Sequence, residues 1–161
     1  MDVEKLASRV QIQDVLARYF RGIDSVDKSL VRSCFTDDVK VLYDGRPPQE
    51  GIEAVMESLL TFQRLRRDEM QITMHFMGNF NLLHLDESSA ETETYAIAFM
   101  VPPKTISERM AVRGLRYLDQ LRPTHGEWRI AQRRHTLDWS FDAEPTFASS
   151  LAQRLSAGTP S

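Results

Sequence analysis

The chain has 161 residues, of which 42% are hydrophobic and 27% charged, and its formal net charge is -3. That length and balance give one domain with a sizeable core, and they exclude a disordered chain. A mildly acidic chain offers no broad attractive field to nucleic acid or an anionic membrane.

In chain order, Ile12, Leu16, Tyr19, Phe20 and Ile23 recur at helical spacing, so the first segment is predicted as a helix ending near Gly22–Asp24. Asp27 can cap a second short helix whose apolar face is Leu30, Val31, Cys34 and Phe35. Val39, Val41 and Tyr43 then alternate as a strand, stopped by Asp44–Gly45–Arg46–Pro47–Pro48. A third helix is predicted from Ile52, with Val55, Met56, Leu59 and Phe62 on its buried stripe. Residues 72–85 read as a long strand bulged at Gly78–Asn79, and residues 90–101 alternate clearly. Residues 107–121 and 127–137 form a last pair around Pro123–Thr124–His125–Gly126. Helices followed by a run of long strands predict an α+β fold. A strongly curved antiparallel sheet packs against the N-terminal helices as a cone-shaped roll with an internal cavity. The domain is expected over residues 1–141, with 142–161 a partly ordered tail rich in Ala, Ser, Thr and Pro.

No apolar run approaches the roughly 18 residues of a membrane span. The mixed-charge start MDVEKLASR lacks the pattern of a signal peptide, and the cytoplasm is the expected address. The single cysteine, Cys34, allows no intrachain disulfide. Neither a metal-ligand spacing nor a glycine-rich phosphate loop is present, so no metal and no cofactor is expected.

Three residues could carry chemistry. His75 lies in an apolar strand and is either a satisfied core histidine or a base facing the cavity. Asp24 is either a helix terminator or, since Asp27 competes for the capping role, a carboxylate free to reach His75 and fix its tautomer. By strand parity Arg129, Ala131 and Arg133 share one face, opposite Trp128, Ile130, Gln132 and Arg134. Arg133 either points into the cavity to hold an anion or belongs to a solvated basic face. Tyr19 and Tyr43 could donate hydrogen bonds to a substrate, and His135 could line the cavity mouth. Phe20, Met74, Phe76 and Phe99 are the expected apolar lining. Phe99, Val101 and Met110 also lie near an outer apolar patch that could meet a second copy.

The order of elements resembles the nuclear transport factor 2-like, or SnoaL-like, fold. The pieces Tyr117–Leu118–Asp119 and Gly126–Glu127–Trp128–Arg129–Ile130 resemble its closing hairpin. The opening, Leu6–Ala7–Ser8–Arg9 and Ile12–Gln13–Asp14, is similar to the scytalone dehydratase and hexachlorocyclohexane dehydrochlorinase group. The resemblance spans Met1 to Trp139 and implies an active-site aspartate at Asp24. It also implies a catalytic histidine at His75, with Asn79 four positions on, and an active-site arginine at Arg133, five residues after Trp128. Tyr19 stands where the dehydrochlorinase has a lysine, Ile23 where scytalone dehydratases have a tyrosine, and residues 90–101 hold no second histidine.

Together these readings predict a cofactor-independent, dehydratase-like lyase. His75 abstracts a proton, Asp24 orients it, and Arg133 with Tyr19 or Tyr43 steadies the developing anion. The expected substrate is small, cyclic and apolar, and Phe20 helps to bind it. An isomerase or cyclase using the same base stays open, as does a non-catalytic binding or accessory subunit of the same fold. The resemblance also implies a homo-oligomer, trimer or dimer, and the charge balance and apolar pattern give no expectation of a nucleic acid or membrane partner.

Overall fold

The structure is a computed structural model and describes residues 3–157. Helix α1 (Val3–Asp24) buries Ile12, Leu16, Tyr19, Phe20 and Ile23, the stripe expected from their spacing, and Val15 beside them. A short α2 (Lys28–Ser33) is capped by Asp27, whose carboxylate accepts the Leu30 N–H at 2.9 Å. Strand β1 (Phe35–Tyr43) follows, then a two-residue β2 (Gln49–Glu50) that pairs back on β1.

The third helix is two pieces, α3 (Ile52–Ser58) and α4 (Leu60–Arg66). Leu59 between them is extended at φ -66, ψ 110, which buries its side chain and breaks the hydrogen-bond ladder. Arg46 donates to the Ser58 carbonyl that the break leaves open.

Four long strands complete the chain: β3 (Ile72–Leu85), β4 (Ala90–Val101), β5 (Met110–Thr124) and β6 (Glu127–Ala143). They form an antiparallel meander within one six-stranded sheet ordered β2-β1-β6-β5-β4-β3. Strand β1 joins β6 in parallel, so β3 and β2 are the two edges and the curved sheet stays unclosed. The β5–β6 turn places His125 at φ 54 and Gly126 at φ 81, the double left-handed geometry that suits a tight hairpin. Strand β6 outruns its expected end at 137, because Met110 and Ala111 pair with Ala143 and Asp142. A last helix, α5 (Leu151–Ala157), lies beyond it.

Bulges decide which side chains face inward. Register shifts between Met77 and Phe80, as the sequence predicts. A second bulge, at Ala131, was not legible: Leu121 pairs with Ile130, yet Gln120 pairs with Gln132. It corrects the parity expected for β6. Trp128 and Ile130 are buried, but beyond the bulge Arg133 is buried while Gln132 and Arg134 are exposed. Helix α1 packs on β3 and β6, and the core lies between it and the concave sheet face. Among the described residues no helix is long and apolar enough to cross a membrane.

Candidate active site

Because Asp27 caps α2, Asp24 at the end of α1 is left for other work, and its carboxylate turns to β3. Strand β3 is a sheet edge, so the backbone N–H of His75 has no partner strand on that side. Asp24 Oδ2 accepts that N–H at 2.7 Å, and Oδ1 accepts from His75 Nδ1, also at 2.7 Å. One carboxylate thus fixes both the strand and the ring. The His75 ring stacks on Phe20, with centroids 5.4 Å apart and planes 25° apart. The side chain is 9% exposed, and among the described residues Nε2 has no hydrogen-bond partner. The ring lines a cavity of about 240 Å³. Nδ1 is the nitrogen turned to Asp24, so the other ring nitrogen is the one left for a further contact.

Three tyrosines and a second histidine share the cavity wall. The hydroxyls of Tyr19 and Tyr43 are 3.3 Å apart, and Tyr117 lies beside them on β5. Burial pushes all three hydroxyls above their ordinary range, so they remain protonated and able to donate. Burial, reinforced by the Arg133 charge, lowers His135 to about 4 and keeps its imidazole neutral. Its Nδ1 is buried without a partner, and Tyr43 and Tyr117 hold the ring edge-on at 5.4 and 5.1 Å. Ile23, Leu59, Met70 and Leu115 supply apolar wall.

Several expected residues lie elsewhere. Arg133 faces inward but does not line this cavity. Its partner is Asp119, directly across on β5, which accepts from Nε at 2.7 Å and from Nη2 at 2.8 Å. Both side chains are 0% exposed. The guanidinium lies 4.1 Å from the Tyr19 ring centroid and 4.6 Å from that of Tyr117, so it sits against the tyrosines rather than beside a substrate. Burial works against its charge, but Asp119, by charge and hydrogen bonds, outweighs that and holds it protonated. Phe20 meets His75 from the core and is not part of the cavity wall.

Met74, Phe76 and Phe99 are not lining either. With His75 turned inward, its strand neighbours point outward by the two-residue period, and Met74 pairs with Phe99 on that face. Tyr117, Arg46, Arg64 and Arg113 were not expected in the site from the sequence, yet all four line the cavity. The alternation Leu115, Tyr117, Asp119 was a usable signal for the first. Among the described residues no group of three or more His, Cys, Asp or Glu could hold a metal ion.

The family model for the SnoaL-like domain matches residues 4–134. Among solved structures, the chain resembles hexachlorocyclohexane dehydrochlorinase LinA-type3 from Novosphingobium barchaimii LL02, at TM-score 0.78 and 17% identity, covering 92% of this chain and 99% of that one. It also resembles a Novosphingobium aromaticivorans protein provisionally described as a scytalone dehydratase, at TM-score 0.76 and 17% identity, covering 91% and 95%. A third, from the same species and provisionally described as an aromatic ring hydroxylase, aligns at TM-score 0.74 and 22% identity over 86% and 94%. Likeness at these identities carries the fold alone. No curated protein matches the sequence. With the family model spanning most of the domain and the sheet and helices arranged as described, the chain belongs to the SnoaL-like family, whose fold is nuclear transport factor 2-like.

Proposed function

We propose that the protein is a cofactor-independent lyase that abstracts a proton from a small cyclic substrate and expels a leaving group from the adjacent carbon. The observation that carries this reading is the His75 imidazole, with Nδ1 held by Asp24 at 2.7 Å and the ring on the wall of a half-enclosed cavity. His75 Nε2 takes the proton, and Asp24 fixes the tautomer and stabilises the imidazolium that forms. The Tyr19, Tyr43 and Tyr117 hydroxyls and the neutral His135 ring donate to the oxyanion or departing group. Arg133 acts at one remove, holding the tyrosine floor through Tyr19 and Tyr117. The cavity is smaller than the ~300–1,000 Å³ common for ligand sites, which suits a substrate of one or two rings. The same base would serve an isomerase or cyclase.

A non-catalytic binding role is the second reading. It is favoured by the Asp24–His75 backbone bond, which ties β3 to α1 whatever the ring does. Turnover of a panel of cyclic hydroxyketones and halogenated rings separates the two. The lyase reading expects the wild type to turn over at least one compound and folded His75→Ala to lose that activity. An active His75→Ala variant, or no turnover across the panel, refutes it. We propose in addition a homo-oligomer, dimer or trimer, that covers the outer patch formed by Met74, Phe76, Trp139 and Phe141, all more than 45% exposed. Light scattering should give a multiple of the chain mass, and a monomeric mass refutes this.

A further inference from the structure

The charge on the cavity wall is unbalanced. Arg46, from the turn after β1, Arg64 on α4 and Arg113 on β5 all line it, against one lining carboxylate among the described residues, Asp44. Asp44 is exposed and already accepts the Leu137 backbone N–H at 3.1 Å. The whole chain has a net charge of -3, so a cationic wall runs against its general balance.

Several arginines elsewhere on this fold find a carboxylate. Arg32 meets Glu53, Arg109 meets Glu144, Arg116 meets Glu93 and Asp138, and Arg122 meets Asp38. Two of the cavity arginines do not. Among the described residues no carboxylate lies within 4.0 Å of Arg46 or Arg64. Arg46 donates to the Ser58 carbonyl and lies 5.5 Å over the Tyr43 ring, which fixes its head while leaving other N–H donors free. Among the described residues the Arg64 side chain has one hydrogen-bond partner, the Met100 sulfur at 3.8 Å. Arg113 is more committed, to the Val112 and Phe141 carbonyls and to Asp142 at 3.5 Å.

We infer that the cavity takes a ring compound bearing a carboxylate, and that Arg46 and Arg64 bind that carboxylate while the ring lies on the apolar wall near His75. Guanidinium groups present paired N–H donors that match a carboxylate, and in a half-enclosed cavity the attraction is screened less than at an open surface. The inference extends the lyase reading by naming its substrate class, but it concerns binding and does not need turnover.

The test is calorimetry on the full chain at low salt, with benzoate and its neutral analogue benzamide as probes. Benzoate is expected to bind roughly tenfold tighter or more, the scale of one charge-assisted hydrogen bond, and to weaken as salt is raised while benzamide does not. Arg46→Gln with Arg64→Gln should erase the preference, and Arg64→Lys should keep part of it. Equal affinity for the two probes, absence of benzoate binding, or a preference untouched in the double variant overturns the inference. If the double variant fails to fold, the salt dependence of the wild type decides. A benzoate preference without turnover of the substrate panel sinks the lyase reading alone, and turnover without the preference sinks carboxylate recognition alone.

Discussion

Removing Asp119 tests how the buried arginine is held. Asp119 and Arg133 exchange two hydrogen bonds at 2.7 and 2.8 Å with neither side chain exposed, and Arg133 Nη1 already lacks a partner. In Asp119→Ala the guanidinium stays charged, because its intrinsic basicity is too high for burial to neutralise it, and two more buried donors lose their acceptors. Breaking a pair of this kind costs about 3–5 kcal/mol, a large share of the ~5–15 kcal/mol that holds a domain folded. With a urea slope of about 2 kcal/mol/M, the unfolding midpoint should fall by roughly 2 M. Replacing both partners by apolar residues of similar size, Asp119→Leu with Arg133→Met, should recover most of that loss, since the pair's attraction was largely offset by its desolvation. Urea unfolding followed by tryptophan fluorescence reads Asp119→Ala, and also the cycle of wild type, Asp119→Leu, Arg133→Met and the double variant. A loss below about 1 kcal/mol in Asp119→Ala, or strict additivity in the double variant, would refute the account of Arg133.

Asp24→Asn should lower turnover of any substrate found by roughly 10²–10⁴-fold with KM little changed, because it unsettles the base and not the cavity wall; steady-state kinetics reads the split. His135 gives a stability signature in acid. Its unfolded pKa is near 6.5 and its folded value about 4, so between those pH values the unfolded chain binds the extra proton. Stability is therefore full above about 6.5 and is lost as pH falls toward 4, by about 3 kcal/mol at most. Urea titrations across that window should show a flatter curve for His135→Gln. Gly114→Ala should dislodge Trp139, since a Cβ at 114 would stand 2.1 Å from the indole. A shift in tryptophan emission and reduced thermal stability are the expected readouts.

The parts of the fold carried by local pattern were legible in the sequence. The α1 stripe, the Asp27 cap and the Gly78–Asn79 bulge each rest on residues within a few positions of one another. What depended on a partner strand was not. Nothing near residue 131 marks the bulge that sends Arg133 and His135 inward while leaving Gln132 and Arg134 outside. Asp119 claims Arg133 only because register sets them opposite, 14 residues apart in sequence. The same distance effect hid Arg46 and Arg64, which come from a turn and a helix to one cavity wall. His75 could be singled out because a histidine among Met74, Phe76 and Met77 is locally out of place. Reading it inward should have turned Met74 and Phe76 outward by the same parity.

The account turns on which nitrogen of His75 carries the proton, and nitrogen-15 NMR of the labelled imidazole at neutral pH reads that directly. The expected result is a proton on Nδ1, toward Asp24, and a bare Nε2 free to meet a substrate in the cavity. A proton found on Nε2 with Nδ1 bare would put the ring's one lone pair against Asp24, away from a substrate proton, and would contradict the proposed role of His75 as the base.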